Sequence, residues 1–201
     1  MTISTNQACQ AIHDVRGNAI VVATMSAMKE MDAIAPDAPL SLSSVPLMGG
    51  AAGLGLGLAQ TRPERKIIVL DGDASLLMEM GVLATIGGAS PRNLYHFVFA
   101  NGVQFNGNYP LAIAGQGQVD FAEAARACGY RTALRIDCLA TLEAGLGEIL
   151  DGPGPVLVAL AIEPSQPSLG PENPGPEQPD KRFTRMGEEA RALMAALGVE
   201  P

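Results

Sequence analysis

Short aliphatic runs alternate along the chain with longer segments in which apolar positions recur at helical spacing. Continuous apolar runs bounded by turn residues are typical of strands that are covered on both faces, as in a parallel sheet. We therefore predict five strands, at residues 19–24, 66–71, 94–100, 132–136 and 155–162.

Helices are predicted between and around these strands, at residues 6–14, 26–34, 49–60, 76–88, 120–128, 139–150 and 184–197. This alternation predicts the α/β class, with a doubly wound, mainly parallel sheet and helices on both of its faces. A chain of 201 residues is long enough for one sizeable core. We therefore expect residues 1–162 to form a single domain.

The segment 163–180 breaks the pattern, with six prolines and few residues that could pack in a core. Residues 163–201 are predicted to be a proline-rich arm followed by a C-terminal helix. Two interpretations of the arm stay open, a solvated linker or a strap across a partner subunit. The helix after it is expected to pack on the domain or on that partner.

The composition restricts the possible function classes. The net charge of −8 and the lack of a Lys/Arg cluster argue against a nucleic-acid surface. Neither a signal peptide nor a convincing membrane-spanning run is visible, which predicts a cytoplasmic protein without a membrane anchor. The three cysteines, Cys9, Cys128 and Cys138, form no CxxC pair and are interpreted as small apolar fillers in a reduced compartment.

The sequence IIVLDGDAS at residues 67–75 raises the main chemical question, because a strand predicted to be buried ends in two carboxylates. A metal, a helix N-terminus or a solvated turn would each accommodate them. Asp71 is interpreted as an N-cap or turn residue. Asp73 could hold a hard cation beside a helix start that offers N–H groups to phosphate. Asn101 follows the next strand 28 residues later, so both side chains are expected at the same sheet edge.

With the glycine-rich segment LMGGAAGLGLGLA at 47–59, these motifs resemble the diphosphate-binding domain of thiamine diphosphate (ThDP) enzymes. The Gly-Asp-Gly triplet of that family corresponds here to Gly72-Asp73-Ala74, and its Asn-Asn pair corresponds to Ala100-Asn101. Ala74 therefore replaces the last glycine, and Ala100 replaces the first asparagine. The chain more closely resembles the sulfopyruvate and phosphonopyruvate decarboxylases. This likeness is carried by VPLMGGAAGLGLGLA, RKIIVLDGDASLLMEMGVLATIG, SPRNLYHFVFANGVQFNGNYP and Arg182-Phe183.

The resemblance implies a set of site residues. Mg²⁺ would be bound by Asp73, the side-chain oxygen of Asn101 and the carbonyl of Val103. The ThDP contacts that the resemblance implies are Thr24, Ser26, Pro46, Met48, Gly72, Ala74 and Ser75. Among them, Met48 would wedge between the two rings and the Pro46 carbonyl would accept from the 4′-amino group. Plain structural interpretations stay open for some of them: helix caps for Thr24 and Ser26, and a core position for Met48.

By the same resemblance, the chain is expected to be one subunit of a ThDP-dependent 2-oxo acid decarboxylase. It would supply the Mg-diphosphate half of an interfacial active site and no catalytic residue of its own. The activating glutamate would come from an α subunit that carries the pyrimidine-binding domain, in an α2β2 or larger assembly. The loop after Asn101 offers Gln104, Asn106, Asn108 and Tyr109 to a substrate head group but no cation.

Three other functions compete with that of a decarboxylase. A carboligase of the acetolactate synthase type shares the early chemistry and stays open. A 2-oxo acid oxidoreductase β subunit is disfavoured, because three scattered cysteines do not suit an iron–sulfur cluster. A non-catalytic module that binds ThDP or a nucleotide also stays open, although the glycine spacing is not GxGxxG.

Overall fold

The computed structural model describes residues 2–45, 47–106, 109–164 and 181–199. Helices and strands alternate through most of this length, as the sequence predicts. In chain order the elements are α1 Thr5–Val15, β1 Ile20–Ala23, α2 Met25–Ile34, β2 Ser41–Ser43, α3 Gly50–Thr61, β3 Ile67–Gly72, α4 Asp73–Met78, α5 Val82–Ala89, β4 Leu94–Ala100, β5 Val103–Asn106, β6 Tyr109–Ala112, α6 Phe121–Ala127, β7 Thr132–Ile136, α7 Leu139–Asp151, β8 Val156–Ala161 and α8 Lys181–Ala196.

Six strands form one sheet in the order β2-β1-β3-β4-β8-β7, and every neighbouring pair is parallel. The predicted doubly wound α/β class is therefore confirmed. The chain passes from β1 to β2 on one side and then returns to place β3 on the other side of β1. This reversal opens a crevice beyond the carboxyl ends of β1 and β3, which is where ligands bind in open parallel sheets.

Each face of the sheet carries its own hydrophobic layer. In β3, Ile68 and Leu70 face the layer built with α1, α2 and α7, whereas Ile67 and Val69 face the layer built with α3, α5 and α6. All four side chains are inaccessible to solvent. This two-sided burial explains why the central strands read as continuous aliphatic runs and not as alternating ones.

The prediction of a single helix over 76–88 is wrong, because parts of two helices occupy this stretch. Helix α4 ends before Glu79, whose backbone at φ −132° and ψ 38° is not helical, and α5 begins at Val82. The Val82 N–H donates to the Glu79 carbonyl across the break. Leu76 and Leu83 are both fully buried and seven residues apart, so the apolar spacing continues through the break and conceals it.

Two short β elements were not predicted. Strand β2 is only three residues long and its sequence, Ser-Leu-Ser, carries little apolar signal. The antiparallel pair β5 and β6 follows β4 directly and forms a separate two-stranded sheet. Strand β2 is placed by its pairing with β1, and β5 by its pairing with β6 and its contact with α4, so neither element depends on a strong pattern of its own.

The cysteines only partly match their interpretation as fillers. Cys9 is buried beside the Ala27 carbonyl, and burial raises the pKa of its thiol. Cys138 is not a filler, because it is the N-cap residue of α7 and its Sγ lies 2.9 Å from Thr141 Oγ1. This hydrogen bond lowers the pKa of the Cys138 thiol. All three cysteines are free thiols.

Searching the described helices for a membrane-spanning segment gives none that is both long enough and apolar enough. The C-terminal helix α8 packs against the edge strand β2, and its Leu193 joins the layer of α3, α5 and α6. The proposed domain boundary at residue 162 stays a prediction.

Two adjacent glycines of α5 provide a test of the packing between α5 and α6. A methyl group on Gly87 would overlap the carbonyl oxygen of Cys128 and lie 2.7 Å from its carbonyl carbon, whereas one on Gly88 would meet nothing within 4 Å. We expect Gly87→Ala to lower the free energy of unfolding by about 1–3 kcal/mol. The matched control Gly88→Ala should raise it by about 0.4–1 kcal/mol. Urea unfolding measures both, and equal midpoints for the two variants would contradict the packing.

Candidate functional site

The carboxyl ends of β1, β3 and β4 meet at one edge of the sheet. Gly72, the last residue of β3, pairs with Phe99 of β4, and Ala23 of β1 pairs with Leu70 of β3. The residues that follow these strands, Thr24, Asp73 and Asn101, are therefore brought to the same edge from sequence positions far apart. This is the arrangement that the spacing of Asp73 and Asn101 predicts.

Asp73 is the first residue of α4, and its side chain joins two strand ends. One carboxylate oxygen accepts the Ala74 N–H at 2.7 Å, and the other accepts the Gly102 N–H at 2.6 Å. The residue is only 2% exposed. Burial raises the pKa of this carboxyl, although the hydrogen bonds from the Gly102 and Ala74 backbone partly offset that effect.

The turn after β4 is held by its own side chain. Asn101 Oδ1 accepts the Val103 N–H at 3.0 Å, and Gly102 adopts φ +74°, a value that glycine tolerates best. The Gly102 carbonyl accepts from the Ile113 N–H at 3.1 Å and from Gln116 Nε2 at 3.0 Å. Three hydrogen bonds within the chain thus hold this turn in place.

A second wall of the site is formed where α3 begins. The Gly49 N–H donates to Ser75 Oγ at 2.7 Å, so the glycine-rich segment is joined to the helix that carries Asp73. Gly49 has φ +87°, and a methyl group there would lie 2.7 Å from Glu79 Cβ and 3.2 Å from the Ser75 carbonyl. Both its conformation and its close contacts require glycine. Met48, the residue before it, is half-buried and packs against the adjacent core.

Thr24 lies beneath the site at the end of β1. Its hydroxyl donates to the Ser44 carbonyl at 3.0 Å, and the side chain makes no capping bond to α2. Thr24 is therefore the N-cap residue of α2 by position only, without a side-chain cap. Ser26 lies in the first turn of α2 and is half-buried. Pro46 falls outside the described residues.

Asp71 does not have the role that its sequence position suggested. It is neither an N-cap nor a turn residue, because it lies within β3 and the N-cap of α4 is Gly72. Its Oδ2 lies 3.4 Å from His96 Nε2, and His96 Nδ1 lies 3.2 Å from the Tyr130 hydroxyl. The Asp71–His96 pair lies at ion-pair distance without hydrogen-bond geometry, and both side chains are fully buried.

Sequence reasoning missed three residues that shape the site: Gly49, Ser44 and Gly102. The Asn-Gly dipeptide at 101–102 and the Gly-Gly dipeptide at 49–50 are turn signals that could have indicated two of them. Nothing local identifies Ser44, because only the tertiary fold brings its carbonyl to Thr24.

Comparison with known proteins shows the family to which this chain belongs. Residues 20–160 match the family model described as thiamine pyrophosphate enzyme, C-terminal TPP binding domain. The chain belongs to this family. It is 39% identical over 171 residues to phosphonopyruvate decarboxylase of Streptomyces viridochromogenes, covering 84% of this chain and 42% of that protein. It is 38% identical over 85 residues to sulfopyruvate decarboxylase subunit beta of Methanocaldococcus jannaschii, covering 42% of this chain and 44% of that one.

A solved structure from Mycobacterium smegmatis, a candidate thiamin diphosphate-dependent enzyme, shares the fold of this TPP binding domain with a TM-score of 0.67 at 20% identity. The match covers 82% of this chain and 32% of that one. In each of these relatives, the matched region is less than half of the protein's length. The predicted cofactor and metal contacts of this TPP binding domain stay predictions.

The buried carboxyl of Asp73 leads to a pH-dependent prediction for the protein without metal. Because its pKa is raised in the folded state, ionisation costs stability as the pH rises above the ordinary Asp value of about 3.9. We expect the stability of Asp73→Asn relative to the wild type to rise from about pH 4 to pH 7, because only the wild type must ionise a buried carboxyl. The variant also carries a pH-independent loss, since an amide can accept only one of the two N–H bonds that the Asp73 carboxylate accepts.

Urea unfolding of both proteins across this pH range measures the effect. Asp151→Asn is a suitable control, because Asp151 is an exposed carboxylate that pairs with Lys66 at the opposite edge of the sheet. A difference between Asp73→Asn and the wild type that stays constant across this pH range would contradict the buried charge.

Proposed function

We propose that this chain supplies the diphosphate-binding half of a ThDP-dependent 2-oxo acid decarboxylase of the phosphonopyruvate and sulfopyruvate type. The observation that carries the proposal is the 2.6 Å hydrogen bond from the Gly102 N–H to Asp73. This bond joins the ends of β3 and β4. The predicted ligands of the cation, Asp73 on one side and Asn101 and Val103 on the other, therefore belong to two segments that are already connected. The family membership gives these segments their chemical context.

The residues at this edge fit a hard divalent cation. Asp73, Asn101 and Val103 would hold Mg²⁺ through a carboxylate, an amide and a carbonyl oxygen, the donor types that Mg²⁺ prefers. A cation would also favour the ionised form of Asp73, which burial in the metal-free protein disfavours.

The same edge fits a diphosphate once the cation is present. Gly72, Ala74 and Ser75 lie at the start of α4, where the helix dipole favours an anion. The Gly72 and Ala74 N–H groups already donate to Asp71 and Asp73. The Ser75 hydroxyl accepts from Gly49 and keeps its own hydrogen for a phosphate oxygen. Thr24 and Ser26 lie nearby at the end of β1, and Pro46 with Met48 would contact the organic part of ThDP.

When bound, ThDP would supply the electron sink that removal of CO₂ from a 2-oxo acid requires. The residues of this chain would hold the cation and the diphosphate, fix the cofactor's orientation and exclude water. The glutamate that activates the cofactor is expected from an α subunit with a pyrimidine-binding domain. A cationic side chain for a sulfonate or phosphonate head group is likewise expected from that partner.

Exposed apolar side chains support an interfacial site. Leu47 precedes α3, Leu54 lies within α3 and Met78 ends α4, and all three are large and exposed. Large apolar side chains exposed beside a site are typical of surfaces that another protein covers. One relative is named as a subunit beta, and this name motivates a heteromeric assembly of at least α2β2. The match covers less than half of that relative's length.

The metal site can be tested by ThDP binding. We expect Asp73→Ala and Asn101→Ala each to raise the Kd for ThDP on the order of 10- to 100-fold at a fixed Mg²⁺ concentration, because each removes a ligand oxygen. Calorimetric titration measures the effect, with Asp151→Ala at the opposite edge as the control. Unaltered ThDP uptake and Mg²⁺ dependence in both variants would refute the assignment.

The need for a partner can be tested by reconstitution. Mixing the purified chain with a co-purifying chain should release CO₂ from a 2-oxo acid, and neither chain should do so alone. Adding an acceptor aldehyde should leave the aldehyde product unchanged, because no carbon–carbon bond is formed. Tight ThDP binding by the lone chain with no partner recovered would favour a binding module, and a condensed product would favour a carboligase.

A further inference from the structure

Glu189 of the C-terminal helix α8 makes hydrogen bonds to the edge strand β2. Glu189 Oε2 accepts the Ser43 N–H at 2.8 Å, and Glu189 Oε1 accepts the Ser43 hydroxyl at 3.2 Å. The two residues are 146 positions apart in the sequence. A carboxylate that accepts two such bonds on a largely buried strand residue makes a strong, directional connection.

Glu189 is itself held in place by a cation on the same helix. Arg185 Nη2 lies 3.8 Å from Glu189 Oε1 and 3.2 Å from Asp37 Oδ1, and Arg185 Nη1 lies 4.0 Å from Asp32 Oδ2. Arg185 therefore connects α8 to the end of α2 and to the loop that precedes β2. The position of Glu189 is set by this small network and not by one flexible side chain.

Strand β2 leads directly into the candidate site. The Ser44 carbonyl accepts the Thr24 hydroxyl at 3.0 Å, and Met48 follows four residues later. The Gly49 N–H is then fixed to Ser75 Oγ at 2.7 Å. The described residues between Ser43 and Gly49 are thus held at several points, including the Ser44 N–H bond to the Ala23 carbonyl at 2.8 Å, and Glu189 is the contact that comes from α8.

Strand β2 is a short edge strand, so α8 can add a contact on its free side. It has three residues and pairs with β1 alone, and Ser43 is its last residue. A side chain that merely covers an exposed edge would protect the sheet from other chains. Glu189 instead acts at the point where the strand passes into the segment that carries Met48.

We propose that Glu189 is a positioning residue for the cofactor site, acting through Ser43 on the segment from Ser44 to Gly49. The inference rests on the proposed function, since that function assigns this segment to ThDP. Without Glu189, the segment would sample more conformations, and ordering it would reduce the binding free energy that remains for the cofactor.

Two measurements on the full chain test the proposal. The variants are Glu189→Ala, Glu189→Gln and the matched control Glu188→Ala, which changes the neighbouring exposed glutamate. Hydrogen exchange of residues 41–49 is measured without cofactor, and the Kd for ThDP is measured at saturating Mg²⁺. We expect Glu189→Ala to speed exchange in 41–49 and to raise the Kd about tenfold, equivalent to about 1.4 kcal/mol.

Glu189→Gln keeps one acceptor oxygen, so its effects should be intermediate, and Glu188→Ala should match the wild type. If Glu189→Ala does not fold, Glu189→Gln provides the same comparison. Loss of thermal stability with unchanged exchange in 41–49 and unchanged Kd would show a purely structural contact and overturn the inference.

If the wild-type chain takes up no ThDP at all, the proposed function fails on its own. The exchange measurement then still decides the positioning contact: faster exchange in Glu189→Ala supports it and unchanged exchange overturns it.

Discussion

The buried carboxylate of Asp73 is the constraint on which the candidate site depends. It lies where β3 becomes α4, and its hydrogen bond to the Gly102 N–H ties that junction to the turn after β4. A carboxylate in this position is costly unless backbone N–H groups or a cation compensate its charge. The backbone supplies two such groups, so the fold itself compensates part of the charge on Asp73.

The surrounding hydrogen bonds extend this arrangement outward in two directions. On one side, Asn101 and Gly102 fix the turn that leads into the hairpin of β5 and β6. On the other side, Ser75 fixes Gly49 at the start of α3. The Asn101 bond is local, whereas the bonds from Gly102 to Asp73 and from Gly49 to Ser75 join segments 29 and 26 positions apart, so these parts of the site come together only when the strands have paired.

Much of the fold could be predicted from the sequence, because its central strands are buried on both faces and read as aliphatic runs. The 28-residue spacing from Asp73 to Asn101 likewise indicated a shared sheet edge. Other features had no local signal. Strand β2 is polar and short, the break at Glu79 preserves the spacing of buried leucines, and Asp71 resembled a turn residue. Its actual neighbour, His96, becomes visible only when β3 and β4 are paired.

The contact of Asp71 with His96, and of His96 with Tyr130, has a consequence for how this sequence can diverge. The three polar groups lie inside an otherwise apolar layer and span β3, β4 and the turn before β7. Replacing one of them by an apolar residue leaves a buried polar group without its partner. This lowers the stability of the fold more than replacing all three by apolar residues would. In related chains we therefore expect substitutions at these three positions to occur together. Tyr130, near the far edge of the sheet, should covary with Asp71, two residues before Asp73.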